Sequence, residues 1–167
     1  MSFLNDIFAS LERHRESCVL QEIREGRVSA LSGGELLAQV ARARAFLAGR
    51  GLKKGDRCAL YAPNGIRWVA MDLAAMAEGL IVVPLYARQA PTELIAMMKD
   101  CSPAIICCGD AALRDGLTQL WSDAPIQALF DEVFASSPAA WTPPSVSETD
   151  AVTIIYTSGT SGEAKGV

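Results

Sequence analysis

A single histidine, no CxxC pair, no excess of basic charge and no long uncharged apolar run narrow what this 167-residue chain can do. His14 stands between Arg13 and Arg15 and reads as part of a solvated helix face. With no His/Cys cluster, a zinc site has no ligand set. The five cysteines (Cys18, Cys58, Cys101, Cys107 and Cys108) are odd in number. Asp6 stands where a signal peptide would carry positive charge. Together these predict reduced thiols and a cytoplasmic setting. Cys107 and Cys108 lie in an apolar run and read as small core residues. The 15 basic side chains are outnumbered by 19 acidic ones, so no nucleic-acid footprint is present. The longest apolar region, 68–87, is interrupted by Asp72, Glu78 and Pro84, so it is not a bilayer span.

What is present is a core. The chain is 50% hydrophobic and 20% charged, which opposes disorder, and one domain of this length buries a sizeable interior. A mean hydropathy of +0.21 is high without a membrane span and predicts surface that something else covers. Phe3, Leu4, Ile7, Phe8 and Leu11 recur at helical spacing. They read as a docking helix, with peripheral contact to a membrane surface as the alternative. Residues 18–31 read as a β-hairpin turning at Glu25-Gly26. Ser32 and Glu35 then form a capping-box pattern before a helix that ends at Gly49 and Gly51.

From residue 57 a rhythm sets in. Apolar strands are expected from Arg57, Leu80, Ala104 and Ile126, at intervals of 22 to 24 residues. Helix-length stretches 66–78, 91–100 and 111–120 separate them. Alternation of this kind predicts an α/β fold with a parallel sheet flanked by helices. The division read from the sequence is an N-terminal helix and hairpin (1–31), repeated β/α units (32–130), a Pro/Ser-rich connector (131–150) and a strand with a loop (151–167). Trp141 is expected to pin the connector to the body.

The last segment carries the chemistry. An apolar strand, 151–156, runs into Thr157, Ser158, Gly159, Thr160, Ser161, Gly162 and, after Glu163-Ala164, Lys165. Glycines let backbone N–H groups approach an anion, and hydroxyls with a lysine neutralise it. Polyphosphate is the natural guest. It is not a Walker loop, because Ala164 precedes the lysine and Gly166 follows it. A plain Gly/Ser/Thr turn between two strands is the competing reading of these residues.

Tyr156-Thr157-Ser158-Gly159-Thr160-Ser161-Gly162 with Lys165-Gly166-Val167 resembles the signature of the adenylate-forming (AMP-binding) superfamily. Ser161 stands where threonine is usual and Ala164 where proline is usual. Leu52-Lys53-Lys54-Gly55-Asp56-Arg57, Pro63-Asn64-Gly65 and Trp68 resemble further stretches of the same family. Gly79, Pro84-Leu85-Tyr86 and Glu93 are similar to its long-chain fatty-acid–CoA ligases.

The resemblance implies that the chain is the first part of the large N-terminal domain of an acyl-CoA synthetase. Such an enzyme activates a fatty acid, or another carboxylic acid, as acyl-adenylate with ATP and Mg2+ and transfers it to CoA. It implies that Thr157, Ser158, Gly159, Thr160, Ser161, Gly162 and Lys165 hold the β- and γ-phosphates, with Thr157 also near magnesium. No catalytic residue falls in this stretch, and the C-terminal remainder of the family's pattern is missing. The expectation is therefore a piece that is inactive alone and self-associates. Another adenylate-former (an acyl-AMP ligase or an amino-acid adenylation domain) and a non-catalytic interaction module are the alternatives.

Overall fold

Helix α1 (Phe3–Arg13) buries Leu4, Phe8 and Leu11, the apolar stripe expected of a docking helix. In this computed structural model, residues 2–138, 140–158 and 164–167 are described. A hairpin follows, β1 (Cys18–Arg24) paired antiparallel with β2 (Arg27–Ser32). Its turn holds Glu25 at φ 48° and Gly26 at φ 75°. Two successive positive φ values match the twist of the flanking strands, and glycine reaches them without steric cost. Helix α2 (Gly33–Ala48) opens with the expected reciprocal cap. The Glu35 N–H donates to Ser32 Oγ at 3.3 Å and the Ser32 N–H to the Glu35 carboxylate at 2.8 Å.

The centre is a four-stranded parallel sheet of β3 (Arg57–Tyr61), β4 (Ile81–Leu85), β5 (Ile105–Cys108) and β6 (Ile126–Leu129), in the order β4-β3-β5-β6. Helices α3 (Ile66–Ala77), α4 (Pro91–Cys101) and α5 (Ala111–Leu120) connect successive strands. Alternate strand residues serve opposite faces, as a period of two requires. Cys58, Leu60, Val82, Ile105 and Cys107 face α1, α2 and α3. Ala59, Tyr61, Val83, Leu85, Ile106 and Cys108 face α4 and α5. The result is three layers, with near-continuous apolar strands because both faces are covered.

Two elements depart from the sequence expectation. Phe130, expected at the end of a strand, begins a short helix, α6 (Phe130–Phe134), inside what reads as connector. Glu132 accepts from the Leu129 N–H at 3.1 Å, and Phe130 and Val133 enter the core one helical turn apart. The expected strand 151–156 does not form; residues 151–155 meet the sheet through one isolated bridge and only Tyr156 enters a strand, β7 (Tyr156–Ser158). Thr153 bridges Val82 in parallel, with Val152 O accepting from Val82 N at 2.9 Å and Val82 O from Ile154 N at 2.9 Å. Ile155 then exchanges both backbone hydrogen bonds with Val167, at 2.9 and 3.0 Å, so the chain leaves the sheet for a hairpin of its own.

A strap of irregular chain reaches that hairpin. Trp141 meets Phe8 edge-on at 4.9 Å, which pins the connector as expected, and the Arg44 guanidinium lies 5.2 Å from the indole. Arg44 is buried, donating to Glu78 at 2.6 Å and to the Thr142 carbonyl and hydroxyl oxygens at 2.7 and 2.8 Å. Ser145 N–H donates to Ala77 O at 2.9 Å, and Lys54 pairs with Asp150 at 2.5 Å.

Candidate phosphate-binding site

The terminal hairpin consists of β7 (Tyr156–Ser158) and β8 (Ala164–Gly166). Register pairs Tyr156 with Gly166, Thr157 with Lys165 and Ser158 with Ala164. Thr153 pairs with Val82 in parallel, so Tyr156 departs at the level of Leu85, the C-terminal end of β4. That is the end of an open α/β sheet where ligands bind.

Directly opposite residues of an antiparallel pair put their side chains on one face of the ribbon. Thr157 and Lys165 therefore share a face, and both are exposed. A hydroxyl and an ammonium side by side, open to solvent, form a donor set suited to an anion. Gly159, Thr160, Ser161 and Gly162 lie outside the described residues, so of the proposed set the structure brings together Thr157, the Ser158 backbone and Lys165. Among the described residues no cluster of three His, Cys, Asp or Glu side chains could hold a metal ion.

The opposite face of the ribbon looks inward. Tyr156 and Ala164 pack against the α4 side of the core. The Tyr156 hydroxyl donates to Asp100 Oδ2 at 2.5 Å. Burial, and then the Asp100 carboxylate, hold the Tyr156 phenol well above its ordinary pKa. Gly166 makes room for this ring: a Cβ there would sit 3.2 Å from Tyr156 Cζ and 2.8 Å from Ile154 Cγ2. Asp100 has no signature in the sequence, since 56 residues separate it from Tyr156.

The sheet offers a second crevice. Strand order reverses between β3 and β5, and a cavity of about 380 Å³ lies there, lined by Glu22, Arg24, Ala62, Gly65, Gly109 and Asp110 among others. Protein carboxylates already serve the adjoining helix starts. Glu22, paired with Arg24, accepts from the Ile66 N–H at 3.0 Å, and Asp110 accepts from the Leu113 N–H at 2.9 Å. The Thr157–Lys165 face, by contrast, is open to solvent.

Comparison with known proteins agrees with the motif. Residues 8–167 match the family model for the AMP-binding enzyme. A long-chain-fatty-acid–CoA ligase of Mycobacterium bovis is 26% identical over 167 residues, which cover 89% of this chain and 28% of that protein. A sulfoacetate–CoA ligase of Cupriavidus necator is 30% identical over 83% of this chain and 29% of its own length. The chain thus spans under a third of each of these relatives. The N-terminal domain of FACL13 from Mycobacterium tuberculosis superposes on all of this chain with a TM-score of 0.82, using 44% of its own residues at 24% identity. That structure shares the fold, and the family match over nearly the whole chain places this protein in the AMP-binding, adenylate-forming enzyme family.

Proposed function

We propose that this chain forms the phosphate-holding part of an ATP-dependent acid–CoA ligase, gripping the end of ATP that leaves as pyrophosphate. The observation that carries the reading is the register of the terminal hairpin, which puts Thr157 and Lys165 on one exposed face. ATP supplies the α-phosphate at which a carboxylate is activated. Lys165 offsets charge that shifts onto the departing phosphates, which lowers the barrier to departure. The Thr157 hydroxyl orients a phosphate oxygen, and Ser158, Gly159, Thr160, Ser161 and Gly162 complete the cradle. Magnesium would arrive on the phosphates with Thr157 as a neutral contact, in keeping with an ion that retains its waters and leans on substrate oxygens.

The acid we favour is a long-chain fatty acid. Supporting it are the stretch Pro84-Leu85-Tyr86 with Glu93 and the fatty-acid ligase among the relatives. The sulfoacetate ligase marks the breadth of acids that related proteins take. The 167 residues alone are expected to leave the reaction incomplete. They are also expected to self-associate through apolar surface such as Ile23 and Val28, which are 74% and 63% exposed. Unpaired thiols, four of them buried, suit a reducing cytoplasm. No helix among the described residues is long and apolar enough to cross a membrane.

The test is ATP–pyrophosphate exchange by the whole ligase, driven by acids from acetate to palmitate. Exchange strongest with the long acids is expected. Exchange confined to amino acids or short acids would move the protein to another branch, and none with any acid would leave an interaction module.

A further inference from the structure

We propose that Asp100 and Tyr156 are a positioning pair that sets the orientation of the phosphate hairpin; this rests on the reading of Thr157 and Lys165 as phosphate contacts. The hairpin joins the sheet through one bridged residue, Thr153, and the hydrogen bonds beside it. A two-stranded ribbon is marginal alone, so its roll about its own axis is set by what its inner face meets: the packing of Tyr156 and Ala164 on the α4 side and one polar tie. On its inner face the Tyr156 hydroxyl makes a 2.5 Å hydrogen bond to Asp100.

Asp100 belongs to α4, which is fixed to the sheet by the buried Leu94, Ile95, Met97 and Met98. The bond therefore ties the ribbon to a rigid helix. Successive strand residues point to opposite faces, so holding Tyr156 inward holds Thr157, and with it Lys165, outward. Gly166 completes the device, since its missing side chain leaves space for the ring.

Asp100 is exposed, and exposed polar pairs contribute little to global stability. The pair's contribution is orientation. The separating measurement is therefore a KM-against-kcat split in the whole ligase, with melting temperature followed in parallel. Tyr156→Phe and Asp100→Ala are each expected to raise the KM for ATP about 5- to 10-fold, less than the loss of a direct charge-assisted contact because the pair acts only through the ribbon's orientation. Over the same series kcat should change less than about twofold and the melting temperature should hardly move. Asp100→Asn keeps an acceptor oxygen and should restore most of the ATP KM. The double variant Tyr156→Phe/Asp100→Ala should be no worse than either single change.

An unchanged KM in both single variants, with Lys165→Ala still impairing ATP use, would overturn the pairing and leave the phosphate reading intact. A KM loss matched by an equal fall in melting temperature would also overturn it. An unimpaired Lys165→Ala would remove the phosphate reading itself.

Discussion

Strands β5 and β7 live under opposite constraints. Each residue of β5 is fully buried, and the strand is paired on both sides. β7 has one partner, its Thr157 faces solvent, and one hydrogen bond from Tyr156 ties it to a helix. Burial over-determines β5, because any shift exposes apolar surface or opens a cavity in a close-packed layer. Little apolar burial determines β7, so polar contacts, and a ligand when present, can set its position. Rigidity is concentrated in the sheet and the proposed phosphate contacts lie at its lightly held edge, the usual division between scaffold and binding loops.

The largest effect expected from this contrast is in the sheet. Ile106→Ala should cost about 2–5 kcal/mol in urea or thermal unfolding, through lost burial plus the cavity left behind. A loss as small as an exposed hairpin change would erase the distinction. Next comes the strap that leads from one region to the other. Arg44→Ala removes three hydrogen bonds at 2.6–2.8 Å and leaves Glu78 without its cation. About 2–3 kcal/mol is expected, with faster proteolysis between 140 and 147. Unaltered protease resistance would show that the strap is held by other contacts.

A smaller, pH-dependent effect belongs to Asp72 on α3, where burial pushes the carboxyl up to about 6 from 3.8. The folded state then holds this proton more tightly than the unfolded chain. Stability from this group is therefore greatest below about 3.8, falls as pH rises toward about 6, and stays low above. Asp72→Asn should flatten that slope and stabilise the protein near neutrality by on the order of 2 kcal/mol. A slope that survives the substitution would assign it to other groups. The smallest expected response is an absence of one. In the native protein only Cys18 should alkylate quickly, because the other four thiols are buried and burial pushes Cys108 up to about 12. Rapid labelling of Cys107 or Cys108 would show that the sheet opens far more readily than its packing implies.

Local patterns were the legible part of the sequence. The regular spacing of apolar runs marked all four sheet strands and the helices between them, because burial on both faces leaves a continuous apolar signal. The Glu25-Gly26 turn and the Ser32/Glu35 cap were readable because both are short-range. Three features were not. Arg44 has no local pattern that marks it as buried, and its partners lie 34 and 98 residues away. Asp100 meets Tyr156 only after α4 has folded onto the sheet. The run 151–156 reads as one strand, yet its backbone divides between β4 and Val167, a choice made by pairing partners rather than by side-chain pattern. Motif residues Thr157 and Lys165 were identifiable as a set, whereas their shared face required the hairpin register.

The central claim is that the Thr157–Lys165 face holds the phosphates that leave. Its most direct test is the KM for pyrophosphate in the acid-dependent exchange reaction, compared between the whole ligase and its Lys165→Ala variant. Loss of one charge-assisted contact predicts a rise of roughly 10- to 100-fold, with the KM for the acid nearly unchanged. An unchanged pyrophosphate KM, or a loss that falls on the acid instead, would contradict the account.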